Sequence, residues 1–209
     1  MRRPELIARQ SACPSGVLGR LIGRIMAVET AEANRIAVEL LDLVPTDHVL
    51  EIGFGHGATI ARMAATVSSG FVAGVDPSAA MCRMASRRNR RHVARGLVEL
   101  RQGRAEALPY PDTRFDKLLS AHTLYFWPDL DRPLAEAYRV LKPGGRLVIA
   151  YRNDPEAARS FPASVYHFRE NTQIEHALRA SGFSGVRIFA AGELTSAISL
   201  AVACRPVAP

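Results

Sequence analysis

The feature that most limits what this chain can fold into is a short apolar run, Val49-Leu50-Glu51-Ile52, that breaks into Gly53-Phe54-Gly55-His56-Gly57-Ala58. A helical pattern follows over about 58–68. Glycine adopts backbone conformations closed to other residues and lets a ligand come close to the amides. The helix after such a turn offers unpaired N–H groups and the positive end of its dipole. A strand, a glycine turn and a helix in this order hold an anionic group, either a pyrophosphate or a carboxylate.

The unit repeats in kind downstream. Phe71–Val75 reads as a second strand ending at Asp76, and Ser78 caps a long helix to about residue 94. Leu97–Arg101 and Phe115–Ser120 read as the third and fourth strands. Leu134, Ala137, Tyr138 and Leu141 keep helical spacing until Lys142-Pro143-Gly144-Gly145, and Arg146–Tyr151 is the fifth strand. Thr172-Gln173-Ile174-Glu175 reads as a capping box opening a helix that stops at Gly182. Two β-like runs near 185–190 and 197–204 close the chain. Upstream, 16–28 and 30–44 read as helices, the second capped by Thr30, and 1–14 as a loose arm. Strands alternating with helices predict an α/β fold with a mainly parallel sheet, whose ligands sit beyond the carboxyl ends of the strands.

Composition narrows the partners. The 209 residues are 48% hydrophobic and 22% charged, which suits one globular domain with a small extension and excludes disorder, collagen and coiled coil. Only Leu6-Ile7-Ala8 separates the basic start from Arg9, which is no leader core, so a cytoplasmic protein is expected. Cys13, Cys82 and Cys204 are far apart, and the six histidines never fall at ligand spacing, so neither a disulfide frame nor a metal site is expected. Lys plus Arg exceeds Asp plus Glu by 27 to 20, and only Lys117 and Lys142 are lysines. Eight of the arginines crowd residues 83–104. They read either as the solvated face of a helix or as a surface for an anionic partner. No aromatic residues interleave them, which argues against nucleic acid.

Glu51 lies two residues before Gly53, and Asp76 follows it by 23, ending the second strand. An acid there accepts both hydroxyls of a ribose, in NAD or in another adenosine ligand. The pattern Glu51-x-Gly53-x-Gly55-x-Gly57 resembles the first motif of the class I S-adenosylmethionine (SAM)-dependent methyltransferases. Val75-Asp76-Pro77-Ser78 with Met81, Gly103–Asp112 followed by Phe115-Asp116, Arg139–Leu147 and Ser181-Gly182-Phe183 resemble later segments of that family, in order. The likeness covers roughly 30–205 and is closest to the small-molecule subgroup that includes the ubiquinone and menaquinone C-methyltransferases. It implies a Rossmann-like doubly wound, seven-stranded sheet with helices on both faces. Residues 30–209 are then the SAM-binding domain, with 1–29 as an N-terminal arm and lid helix.

The resemblance also implies roles. Glu51, Gly53, Phe54, Gly55, His56 and Gly57 would hold the methionine end of SAM, Asp76 its ribose, and Pro77 and Met81 its adenine. Arg104, Ala105 and Glu106 follow the third strand near the adenine, although many members carry an acid where Arg104 stands. Ser120, Ala121 and His122 would line the sulfonium side. His122 is the candidate base because imidazole titrates near neutral pH, with Tyr125 as a second candidate catalytic group. Phe126 and Trp127 wall an acceptor pocket or pack as core, and Tyr151, Tyr166 and His167 would close the far side. Residues 16–28 form the lid, with Leu18, Leu21, Ile22 and Ile25 as a stripe packed on the body and Arg20 and Arg24 opposite. The expected partner is a small-molecule acceptor. Peripheral membrane contact, SAM binding without methyl transfer, and the oligomeric state are left open, and Glu51 and Lys142–Gly145 disfavour an NAD oxidoreductase.

Overall fold

The computed structural model describes residues 4–153, 158–191 and 197–207. Strands β1 (His48–Ile52), β2 (Phe71–Asp76), β3 (Val98–Gln102), β4 (Phe115–Ala121), β5 (Leu141–Arg152), β6 (Ser184–Ala190) and β7 (Ile198–Cys204) form one seven-stranded sheet. Its order is β3-β2-β1-β4-β5-β7-β6. The first five strands pair in parallel, and β7 runs antiparallel to both β5 and β6. The strand order reverses between β1 and β4, which opens a crevice at their carboxyl ends.

Side chains alternate between two cores, as the period of an extended chain requires. Leu50, Ile52, Leu118, Leu147, Ile149 and Tyr151 face one core, which takes in helices α7 (Asp131–Val140) and α8 (Asn171–Ala180). Val49, Leu119, Ala121, Val148 and Ala150 face the other. That second core is covered by α3 (Ala31–Leu41), α4 (Ala58–Thr66) and α5 (Ala79–Arg88). Near-continuous apolar strands are what a sheet covered on both faces needs. The doubly wound sheet inferred from sequence is therefore the fold.

Four local readings change. The arm is helical: α1 (Glu5–Ala12) buries Ala8 and Ser11, and α2 (Gly16–Glu29) follows after one turn. The long helix after Ser78 breaks at Asn89 into α5 and α6 (Arg90–Ala94), because the Asn89 amide turns inward to donate to the Gly57 carbonyl at 3.0 Å. The capping box of α8 is Glu170 with Gln173, not Thr172 with Glu175. Strand β5 begins at Leu141, and Pro143-Gly144-Gly145 is accommodated as a shift in register against β4.

Candidate active site

A cavity of about 300 Å³ occupies the crevice. The glycine turn forms one wall. Gly53 has φ +79° and donates its N–H to the Val75 carbonyl at 2.7 Å, which stitches the turn to the end of β2. A Cβ there would stand 2.0 Å from the Thr123 methyl, so the position admits glycine alone. Gly55, at φ +52°, is different: a Cβ would meet nothing within 4 Å, because the residue faces the cavity. The turn thus has one glycine that protein packing requires and one beside open space.

Asp76 closes that wall. Its carboxylate accepts from the Gly55 N–H and the Ser78 N–H, each at 2.8 Å, and the side chain is buried. Burial pushes its pKa up to about 6 in spite of those two amides. Glu51, on the adjacent strand, is buried more deeply, and burial together with the Asp76 charge pushes its pKa up to about 8. Its Oε2 has no hydrogen-bond partner among the described residues. Two acids beside one cavity, one with an unsatisfied oxygen, fit a ligand that brings a cation and hydroxyl donors.

The opposite wall comes from the end of β4. Ala121, His122 and Thr123 line the cavity, followed by Phe126 and Trp127. His122 takes a left-handed conformation, φ +59°, while its N–H stays bonded to the Ala150 carbonyl at 2.8 Å. Its Nε2 is buried without a partner among the described residues. Burial, helped by the Arg152 charge, pulls its pKa down to about 4, so the imidazole is neutral at physiological pH rather than titrating near it. Burial also lowers the pKa of His56, in the glycine turn.

Of the residues singled out in the sequence, Glu51, Gly53, Phe54, Gly55, His56, Asp76, Pro77, Met81, Arg104, Ala105, Glu106, Ala121 and His122 all line this cavity. Gly57 instead caps α4 behind the turn. Ser120 lies under the wall, its hydroxyl bonded to that of Thr123. Tyr125 also lies outside the lining: its ring packs among Phe126, Tyr166 and Phe168 at centroid distances of 4.7–5.7 Å. Tyr151 is turned away too, with its hydroxyl donating to Asn171 Oδ1 at 2.6 Å. Tyr166 belongs to the aromatic cluster, and the His167 N–H bonds the Tyr125 carbonyl.

The cover also differs from the sequence reading. Ser11, Ala12, Cys13 and Pro14 line the cavity together with Thr30 and Asn34, and no described side chain of 16–29 does. The roof is the end of α1 and the turn into α2, held down where Ser78 Oγ donates to the Pro14 carbonyl. Along α2 the expected inward stripe is mostly turned out. Ile22 is buried, whereas Leu18, Leu21 and Ile25 are 41%, 55% and 52% exposed. Asn34 escaped the sequence reading, although an amide on an apolar helix face was a signal. Its Oδ1 is buried without a partner among the described residues, and its amide donates to the Thr30 hydroxyl at 3.2 Å.

Comparisons with known proteins bear on the family and the fold. Residues 50–149 match the family model described as a methyltransferase domain. The uncharacterized methyltransferase YdaC of Bacillus subtilis (strain 168) is 32% identical over 168 residues, covering 80% of this chain and 88% of that protein. A demethylmenaquinone methyltransferase of Symbiobacterium thermophilum is 36% identical over 112 residues, 53% of this chain and 45% of that one. The geranyl diphosphate C-methyltransferase of Streptomyces coelicolor A3(2), solved with S-adenosyl-L-homocysteine, superposes with a TM-score of 0.70 at 16% identity. That superposition covers 84% of this chain and 77% of that one.

Proposed function

The chain belongs to the SAM-dependent methyltransferases, and on that footing we propose that it methylates an apolar, ring-bearing small molecule at the β4 end of the cavity. The observation that carries this reading is that three residues lining one cavity each hold a buried polar atom with no partner among the described residues: Glu51 Oε2, Asn34 Oδ1 and His122 Nε2. The first lies beside the glycine turn, where the amino-acid end of SAM fits. The last belongs to the wall that carries Phe126 and Trp127, where an acceptor fits.

Bound SAM supplies an electrophilic methyl group on its sulfonium. The chain's share is to place the acceptor in line with that carbon and to keep water away. In this reading Glu51 faces the ligand's ammonium, which returns the acid to its charged form. Asp76 holds the ribose hydroxyls with the lone pairs left over from Gly55 and Ser78, and Pro77 and Met81 pack on the adenine. Arg104, exposed at the rim, stands beside the base without accepting a hydrogen bond from it. His122, held neutral and with no partner on Nε2 among the described residues, accepts a hydrogen bond from an acceptor hydroxyl there and so orients the acceptor toward the methyl. Tyr125 acts at one remove, by fixing the aromatic wall. The roof formed by 11–14 and the helix after it opens to admit the acceptor.

The relative named a demethylmenaquinone methyltransferase supports a hydroquinone-like acceptor. The test is calorimetry with S-adenosylhomocysteine and NAD, followed by transfer of labelled methyl to hydroquinones, phenols and fatty acids. We expect S-adenosylhomocysteine to bind, NAD not to bind, and label to appear on a hydroquinone or phenol. Binding of S-adenosylhomocysteine with no labelled product from any class would overturn the acceptor assignment.

A further inference from the structure

We propose that the outer face of α2, together with α5 and α6, is a docking surface for an anionic lipid bilayer. Leu18, Leu21 and Ile25 stand at i, i+3 and i+7, so they make one ridge, and all three are substantially exposed. Exposed aliphatic residues scattered singly need no explanation; three aligned on one helix do. Helix α2 packs against α5, and the chain entering α2 is tied to the start of α5 through Pro14 and Ser78.

The neighbouring surface is strongly basic. Arg83, Arg87, Arg88, Arg90, Arg91 and Arg95 are all exposed on or just after α5 and α6. None of them has an ion-pair partner among the described residues. By contrast, Arg9, Arg35, Arg101, Arg139, Arg146 and Arg179 each pair with a nearby acid. The sequence contains no acid between Asp76 and Glu99, nor between Ser11 and Val28. Val93, 39% exposed, sits among the arginines. An aliphatic ridge beside a field of uncompensated cations is the chemistry that recognises anionic headgroups with acyl chains below them.

Other occupants fit less well. A second copy of the chain would bring one arginine field against another, and a nucleic acid would leave the ridge without a partner. Docking in this way would bring the roof turn at 11–14 close to the lipid, a route for an acceptor that partitions into membranes. The surface stands independently of the assigned reaction, because its test requires no methyl transfer.

The experiment is co-sedimentation of the full chain with vesicles of phosphatidylcholine alone or mixed with phosphatidylglycerol, each at low and high salt. Binding is expected only to the anionic vesicles, and it should weaken as salt screens the headgroups. R87Q/R90Q/R91Q should weaken it roughly 100-fold, about fivefold per arginine. L21S/I25S should weaken it about tenfold or more at low and high salt alike. Leu18→Ala is a milder substitution should that pair perturb α2. Circular dichroism and S-adenosylhomocysteine affinity should be unchanged in each variant.

Equal binding to neutral and anionic vesicles, or none to either, overturns the proposal. So does L21S/I25S converting a dimer to a monomer in light scattering with vesicle binding intact. An arginine variant that loses affinity for RNA but not for vesicles would overturn it as well.

Discussion

At the β1–β2 end of the cavity, the ligand-facing groups are set by partners close by in the fold's own turns. Asp76 is fixed by the amides of Gly55 and Ser78, and Gly53 by the carbonyl of Val75. At the β4 end, side-chain packing joins the backbone bonds. His122 is held by Ala150, and the segment after it rests on an aromatic cluster from residues 161–168. One end is a backbone device that any chain with these glycines and acids would build. The other is a packing arrangement particular to this chain. In the proposed reading donor binding belongs to the first end and acceptor choice to the second, and substitutions test that division.

The largest expected effect is at the β4 end. His122→Asn, which moves the hydrogen-bonding atom out of place, should lower turnover on the order of 10²-fold while leaving S-adenosylhomocysteine affinity nearly intact. Loss of affinity with unchanged saturated turnover would move His122 to the donor half. At the other end, Asp76→Ala should weaken S-adenosylhomocysteine by about 1.5–3 kcal/mol, read by calorimetry.

Two glycines sharpen the contrast within the turn. Gly53→Ala should cost on the order of 2–4 kcal/mol of stability, because the new methyl strikes Thr123 in a backbone conformation that L residues disfavour. Gly55→Ala should cost only about 1–2 kcal/mol of stability, since its Cβ meets nothing, yet it should abolish ligand binding. Thermal melts with and without S-adenosylhomocysteine distinguish the two.

The smallest effect is a pH slope. The folded pKa values of Glu51 and Asp76 lie above their ordinary values of 4.5 and 3.8, so the native state holds extra protons and loses stability as pH rises toward about 8. The folded value of His122 lies below its ordinary 6.5, so its contribution is lost as pH falls through about 4. Between these ranges, from about pH 6.5 to 8, Glu51 dominates. The ligand-free protein should therefore become less stable there, by at most about 1.4 kcal/mol per pH unit. Glu51→Gln should flatten that decline in melts across the range.

The same division explains what the sequence reveals. The glycine turn, Asp76 and the alternation of strands and helices are local patterns, and nearly all the donor-side residues read from them line the cavity. Misreadings fall where side-chain contacts, near in sequence or far, decide. Tyr125 and Ser120 follow the right strand, but one ring turns toward Tyr166 and Phe168 and one hydroxyl toward Thr123. The lowered pKa of His122 depends on burial that no spacing encodes. Helical periodicity finds the stripe on α2, yet periodicity identifies a face and not the direction it points. Asn89 looks like one more polar residue among arginines until its amide reaches the Gly57 carbonyl.

The reversal of strand order between β1 and β4 has a consequence for design. The crevice exists because neighbouring strands send their connections to opposite faces of the sheet, before any side chain has been chosen. On the proposed reading the donor wall and the acceptor wall are therefore separable modules on one chassis. Residues 122–127, exchanged together with their aromatic supports at 161–168, would retarget the enzyme while the loop at 53–57 stays untouched. Grafting residue 125 or 126 alone would fail, because each ring's position is defined by the others.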